Sequence, residues 1–199
     1  VTFADEYSDV SQLMRAGKLA EAQAKVERHL ASKPRDPQMR FMKGVIERDS
    51  GRLNDAVTTF TKLTEDHPEL PEPYNNLAVV YASLGQFDKA RTALEMAIRT
   101  NPSYATAHEN LGDVYAKLAS QAYNKALQID ANNTAVAPKL ALIRGLFNPA
   151  ATGPKPFPGP PPPTVQARVP VPPTATAAAA PPASGPRPPP PPPHPAPHP

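Results

Sequence analysis

The sequence predicts an all-α protein: helix–turn–helix units stacked into a short α-solenoid, a terminal capping helix and a disordered Pro-rich tail. Two observations carry that prediction. Gly17, Gly51 and Gly85 stand 34 residues apart, and so do Ala22, Ala56 and Ala90, and Pro34, Pro68 and Pro102. Three independent sets on one interval mark repeated units of paired helices, each leaving an apolar face bare for its neighbour to cover. The second observation is an abrupt change of composition near residue 148. Of the 30 prolines, 22 lie beyond residue 150, where no acidic residue occurs.

The first three units are expected at residues 3–36, 37–70 and 71–104. Their first helices fall near 4–16, 37–50 and 71–84, and their second near 18–32, 53–66 and 87–100. The unit from Pro71 to Tyr104 is the most regular, with Tyr74, Leu77, Ala78, Tyr81, Gly85, Phe87, Ala90, Leu94, Ala97 and Pro102. Gly85 suits the turn between the helices, small residues suit their close approach, and Pro102 stops the second helix. Residues 37–70 keep Gly44, Gly51, Ala56, Phe60 and Pro68 but place Arg40 and Glu47 where aromatics are expected. Asp36 before Pro37 reads as a helix start, because Asp caps free N–H groups and Pro lacks the N–H that would be unpaired there. The first unit is a weaker copy, with Leu13, Gly17, Ala22, Val26 and Pro34. These residues resemble the tetratricopeptide repeat, over about residues 3–133. The resemblance implies a binding surface rather than catalysis.

The fourth unit, residues 105–133, is five residues short. His108, Leu111, Gly112 and Tyr115 keep their places, His108 standing where the family carries a packing aromatic, but Tyr123, Ala126 and Asp130 arrive early. No Gly or Pro lies between Tyr115 and Asp130. Leu111, Tyr115, Leu118, Ala122, Ala126 and Ile129 hold one helical face, so the hairpin is expected to fuse into one helix over about 106–129. A final helix over 134–147 would turn Val136, Leu140, Ile143 and Leu146 toward the stack and shield its last apolar face, with Pro138 tolerated near its first turn. Residues 148–199 are expected to be a disordered Pro/Ala-rich tail with polyproline II segments at 160–163 and 188–193.

Charge is balanced in the repeats, with 18 basic and 18 acidic side chains in the first 150 residues. The net +3 comes from Lys155, Arg168 and Arg187 in the tail, which gives no basic stripe for nucleic acid. Cysteine is absent, so neither disulfides nor thiolate metal sites are available. No apolar run is long enough to span a membrane. Val1-Thr2-Phe3-Ala4 fits the remnant of a trimmed export signal, and with the tail it suggests the periplasm or envelope of a bacterium; a cytoplasmic place is the alternative.

No catalytic arrangement and no cofactor motif stands out: there is no phosphate-cradling loop, and His29, His67 and His108 lack metal-ligand spacing. In the family that the chain resembles, the first helix of each unit lines a concave groove. Carried onto this sequence, the groove positions are Tyr7, Ser11 and Met14; Phe41, Val45 and Arg48; Asn75, Asn76 and Val79; and Glu109, Asn110 and Asp113. Asn both donates and accepts, so it suits a peptide backbone. The cations of a carboxylate clamp are missing from the matching places. The expected function is a non-enzymatic adaptor holding a protein or peptide segment in this groove. A spacer acting through its tail and a chaperone-like holder of clients are the alternatives, and the oligomeric state is open.

Overall fold

The structure is a computed structural model that describes residues 3–148. The expected tail disorder lies outside the described residues, and so do Val1 and Thr2 of the expected export remnant Val1-Thr2-Phe3-Ala4, whose other two residues open the first helix. Among the described residues eight helices follow one another: α1 (Phe3–Arg15), α2 (Leu19–Ser32), α3 (Pro37–Asp49), α4 (Leu53–Asp66), α5 (Pro71–Ser83), α6 (Phe87–Thr100), α7 (Ala105–Ile129) and α8 (Val136–Leu146). Each helix packs on the next, and the odd-numbered first helices also touch one another: α1 on α3, α3 on α5, α5 on α7.

The turns show why the glycines recur. Gly17, Gly51 and Gly85 have φ of 72°, 78° and 73°, the left-handed region where a Cβ is disfavoured. Around Gly17, the N–H of Lys18 reaches Leu13 O at 2.9 Å and that of Gly17 reaches Met14 O at 3.1 Å. That pair of bonds closes a helix C-terminus and redirects the chain. Asp36 opens α3, its Oδ1 accepting from Gln38 N at 3.0 Å and Met39 N at 3.2 Å.

Close packing follows from the other periodic set. Ala22, Ala56 and Ala90 are each 0% exposed. Val10, Ala22, Val26, Met39, Met42 and Ile46 form a core between α1, α2 and α3, and a second core around Phe60 and Leu94 runs from α3 to α7. Gly44 is the tightest point: a Cβ built there would sit 2.6 Å from the Phe60 ring, so only glycine lets α4 come this near. The two departures in the second unit are absorbed by polar partners. Arg40 pairs with Asp66 at 2.8 Å. Buried Glu47 takes Thr59 Oγ1 at 2.9 and 3.0 Å, with Lys43 at 3.8 Å. Burial still pushes the Glu47 carboxyl up from its ordinary value, although Thr59 and Lys43 pull the other way.

In the fourth unit α7 runs unbroken for 25 residues. Its far half is covered by α8 through buried Val136 and Leu140. The cover is narrower than the apolar spacing predicts. Tyr115 is 49% exposed, Ile129 78% and Leu146 69%, because α8 is the one element that folds back on α7 among the described residues and it is only 11 residues long. His108 is corrected for the same reason. It is exposed rather than packed, and its Nε2 donates to Pro102 O at 2.9 Å.

Candidate functional site

The candidate groove residues sit on α1, α3, α5 and α7, and the structure joins four of them, Arg48, Asn75, Asn76 and Asn110, by hydrogen bonds between units. Arg48 Nη1 on α3 donates to Asn76 Oδ1 on α5 at 2.9 Å, and Asn76 Nδ2 donates to Glu72 O at 2.9 Å. Asn110 Nδ2 on α7 donates to Asn75 Oδ1 on α5 at 2.9 Å. Asn75, Asn76 and Asn110 are fully buried, and Val45 and Val79 are nearly so. The amides therefore lie beneath the face, where they fix the spacing of successive helices. Asn75 Nδ2 and Asn110 Oδ1 have no hydrogen-bond partner among the described residues. Such buried amide atoms carry a desolvation cost that their single mutual bond offsets only in part.

What reaches the surface is a different subset. Phe41 is half-buried, its ring edge-on to Phe60 with centroids 5.8 Å apart. Arg48 is half-buried and also pairs with Asp49 at 2.8 Å. At the other end Glu109 is exposed and Asp113 half-buried, one helical turn apart. Burial raises the Asp113 pKa from its ordinary value and the charge of Glu109 adds to the rise, against Lys117. This end of the face is thus acidic and only partly neutralised.

Tyr7 is not joined to the set. Its hydroxyl donates to Asp36, and its ring tilts against His29 with centroids 5.6 Å apart. His29 holds Glu6 with Nδ1 and Asp36 with Nε2, the latter at 2.7 Å. Burial lowers the His29 pKa, but the hydrogen bonds and charges of both carboxylates outweigh it, so the net shift is upward. Burial would raise Asp36; the bonds from Tyr7, the Met39 N–H and His29 reverse that, and its pKa is lowered. Sequence reasoning missed this cluster because partners 23 and 29 residues apart follow no helical period. It also missed Tyr104, whose buried hydroxyl has no hydrogen-bond partner among the described residues and whose pKa is pushed up to about 12 by burial and by Glu72. No signal marks Tyr104 in the sequence, because the equivalent places in the earlier units hold Asp36 and Leu70. A separate open cleft of about 490 Å³ lies between α5 and α6, lined by Tyr74, Leu77, Tyr81, Lys89 and Met96 among others. No helix among the described residues is long and apolar enough to cross a membrane.

Stacked helix pairs with a continuous row of first helices define a helical repeat scaffold. The chain belongs to the tetratricopeptide repeat family: it matches a TPR repeat over residues 80–118 and Tetratricopeptide repeat descriptions over 10–71 and 59–92. Proteins of this family are generally non-enzymatic scaffolds for protein–protein interaction. Among solved structures, a thermophilic TPR protein from Thermus thermophilus is similar with a TM-score of 0.56 at 24% identity, over 73% of this chain and 82% of that one. MamA is similar with a TM-score of 0.52 at 23% identity, over 71% and 88%. A tetratricopeptide repeat protein from Parabacteroides merdae gives 0.51 at 21% identity, over 72% and 62%. At these identities the likeness concerns the fold. No curated protein matches the chain.

Proposed function

We propose that the chain is a non-enzymatic adaptor that holds a protein or peptide segment along the face of α3, α5 and α7. The observation that carries this reading is the hydrogen-bonded row Arg48–Asn76 and Asn75–Asn110, which ties three units into one preorganised platform. A platform fixed before binding loses less entropy when a ligand arrives. The side chains left reachable on it set the ligand chemistry. Phe41 favours an apolar residue at the α3 end, and Glu109 with Asp113 favours a basic residue at the α7 end. Among the groove positions, the Asn side chains then act as positioning groups. The tail composition favours a bacterial envelope over the cytoplasm as the place of action, which cell fractionation decides.

Photo-crosslinking with the native partner mixture tests the groove. A crosslinking residue at Arg48 or Asp113 is expected to capture a partner, and one at Lys89 in the α5–α6 cleft is not. Capture lost on removing residues 151–199 but unaffected by Phe41→Ala would overturn the groove reading and assign the function to the tail.

A further inference from the structure

The fourth unit has lost the residues that make a hairpin but has kept both halves of the hairpin interface. Leu118 aligns with Leu84 and Ala119 with Ala90, so the missing residues are those matching Gly85 to Lys89. Gly85 is the left-handed turn residue, and Lys89 is the cation held 5.6 Å from the Tyr81 ring centroid. In the second unit Gly44 receives the Phe60 ring from the helix folded back on it. Two periods on, Gly112 holds the place of Gly44 and Tyr123 that of Phe60. Here a Cβ at Gly112 would meet nothing within 4 Å. Both residues lie on one continuous helix, about 16 Å apart along its axis at 1.5 Å per residue, so they cannot touch within one chain. The helix α8 leaves Gly112 open. It lies on the side of Lys117 and Asn124, with the Lys117 ammonium 4.0 Å from the ring centroid of Phe147 just after α8 and Arg144 at 3.4 Å from Asn124, and it reaches Tyr123 through the Lys139 ammonium, 6.0 Å from that ring centroid.

We propose that two copies of the chain pair through α7, antiparallel about a twofold axis between Lys117 and Leu118. In that arrangement Tyr123 of one copy packs over Gly112 of the other, and the reverse. The same axis sets Ala116 against Ala119 of the other copy, the places that Ala82 and Ala90 hold in the third unit, where both are buried. Exposed Gly112, Tyr115 and Ala122 lie along this seam. The occupant is a second copy because this chain itself carries the matching second-helix strip, in the right direction and with small residues at the close approach. A self-complementary patch closes under a twofold axis, and shortening a hinge until a hairpin cannot return is a recognised route to exchange between copies.

Sedimentation velocity on the full chain is expected to show a dimer, and a monomer at about 100 µM would overturn the proposal. Gly112→Leu puts a bulky side chain into space that is open in the single chain, and it is expected to weaken the dimer at least about tenfold. Inserting Gly-Gln-Phe-Asp-Lys between Leu118 and Ala119 restores the hairpin and should give a monomer. A dimer undiminished by both changes would overturn the assigned face. The cysteine-free chain allows a readout that does not depend on either variant folding differently. Ala116→Cys mixed with Ala119→Cys should form a disulfide-linked pair under mild oxidation, whereas Glu95→Cys on the outer side of α6 should not. Equal yields from the two sets would also overturn it.

Discussion

Gly44 and Gly112 hold the same place in two units and meet opposite surroundings. At Gly44 the Phe60 ring leaves no room for a methyl group, while at Gly112 nothing lies within 4 Å of one. The apolar pattern of the two units is alike; five turn residues separate them. The difference teaches that hairpin formation in this stack is decided by the left-handed turn residue and the length around it. Periodicity along a helix says which face is apolar and leaves open which chain segment will cover it.

The largest effect should come from the rings at the paired places. Phe60→Ala removes a fully buried side chain and is expected to cost about 3–5 kcal/mol in urea unfolding. Tyr123→Ala, measured in dilute solution, should cost less than about 1 kcal/mol, because Tyr123 is only half-buried and its ring meets a solvated cation, Lys139, at 6.0 Å. Equal costs would break the comparison. Next in size is Ser120→Pro, near the middle of α7, expected to cost about 3 kcal/mol. It removes an N–H from an unbroken helix, and amide shifts should show the break spreading from residue 116 to 120. A native break near Leu118 to Gln121 in the unsubstituted protein would contradict a single α7.

A smaller pair of substitutions should differ in sign. Gly44→Ala forces a methyl group against a buried ring and is expected to lower stability by about 1–3 kcal/mol. Gly112→Ala in dilute solution should raise it by up to about 1 kcal/mol, since a helix gains from losing glycine and nothing is displaced. Thermal melts of the two variants side by side check the signs.

Much of this fold was legible in the sequence because its cause is local. Gly17, Gly51 and Gly85 mark turns through their own backbone conformation, Asp36-Pro37 marks a helix start, and the five missing residues mark α7. The candidate face was legible only as a row of places. That Asn75, Asn76 and Asn110 lie beneath it while Phe41, Arg48 and Asp113 reach solvent depends on how α3, α5 and α7 sit side by side. Periodicity within one unit does not carry that information. Tyr7 is the same lesson at the other end: its partner Asp36 comes from the start of the next unit.

The smallest expected effect is a pH dependence that should be confined to that first end. His29 donates to two carboxylates at once, which needs both ring nitrogens protonated. Its folded pKa is raised, so its contribution to stability is fully present below the unfolded value of about 6.5 and is lost as pH rises through the folded pKa. The folded pKa of Asp36 is lowered, so its contribution is present above about pH 4 and is lost as pH falls through the folded value. The two together place the stability maximum of the first unit between about pH 4 and 6.5. Hydrogen exchange, corrected for its intrinsic pH dependence, should therefore show α1 and α2 losing protection from about pH 6.5 upward while α7 is unchanged. His29→Gln should abolish the trend, because an amide keeps a donor but does not titrate. Loss of protection in α7 over the same range would mean that the two ends unfold as one unit, and that the fourth unit is held by more than its contacts with α5, α6 and α8.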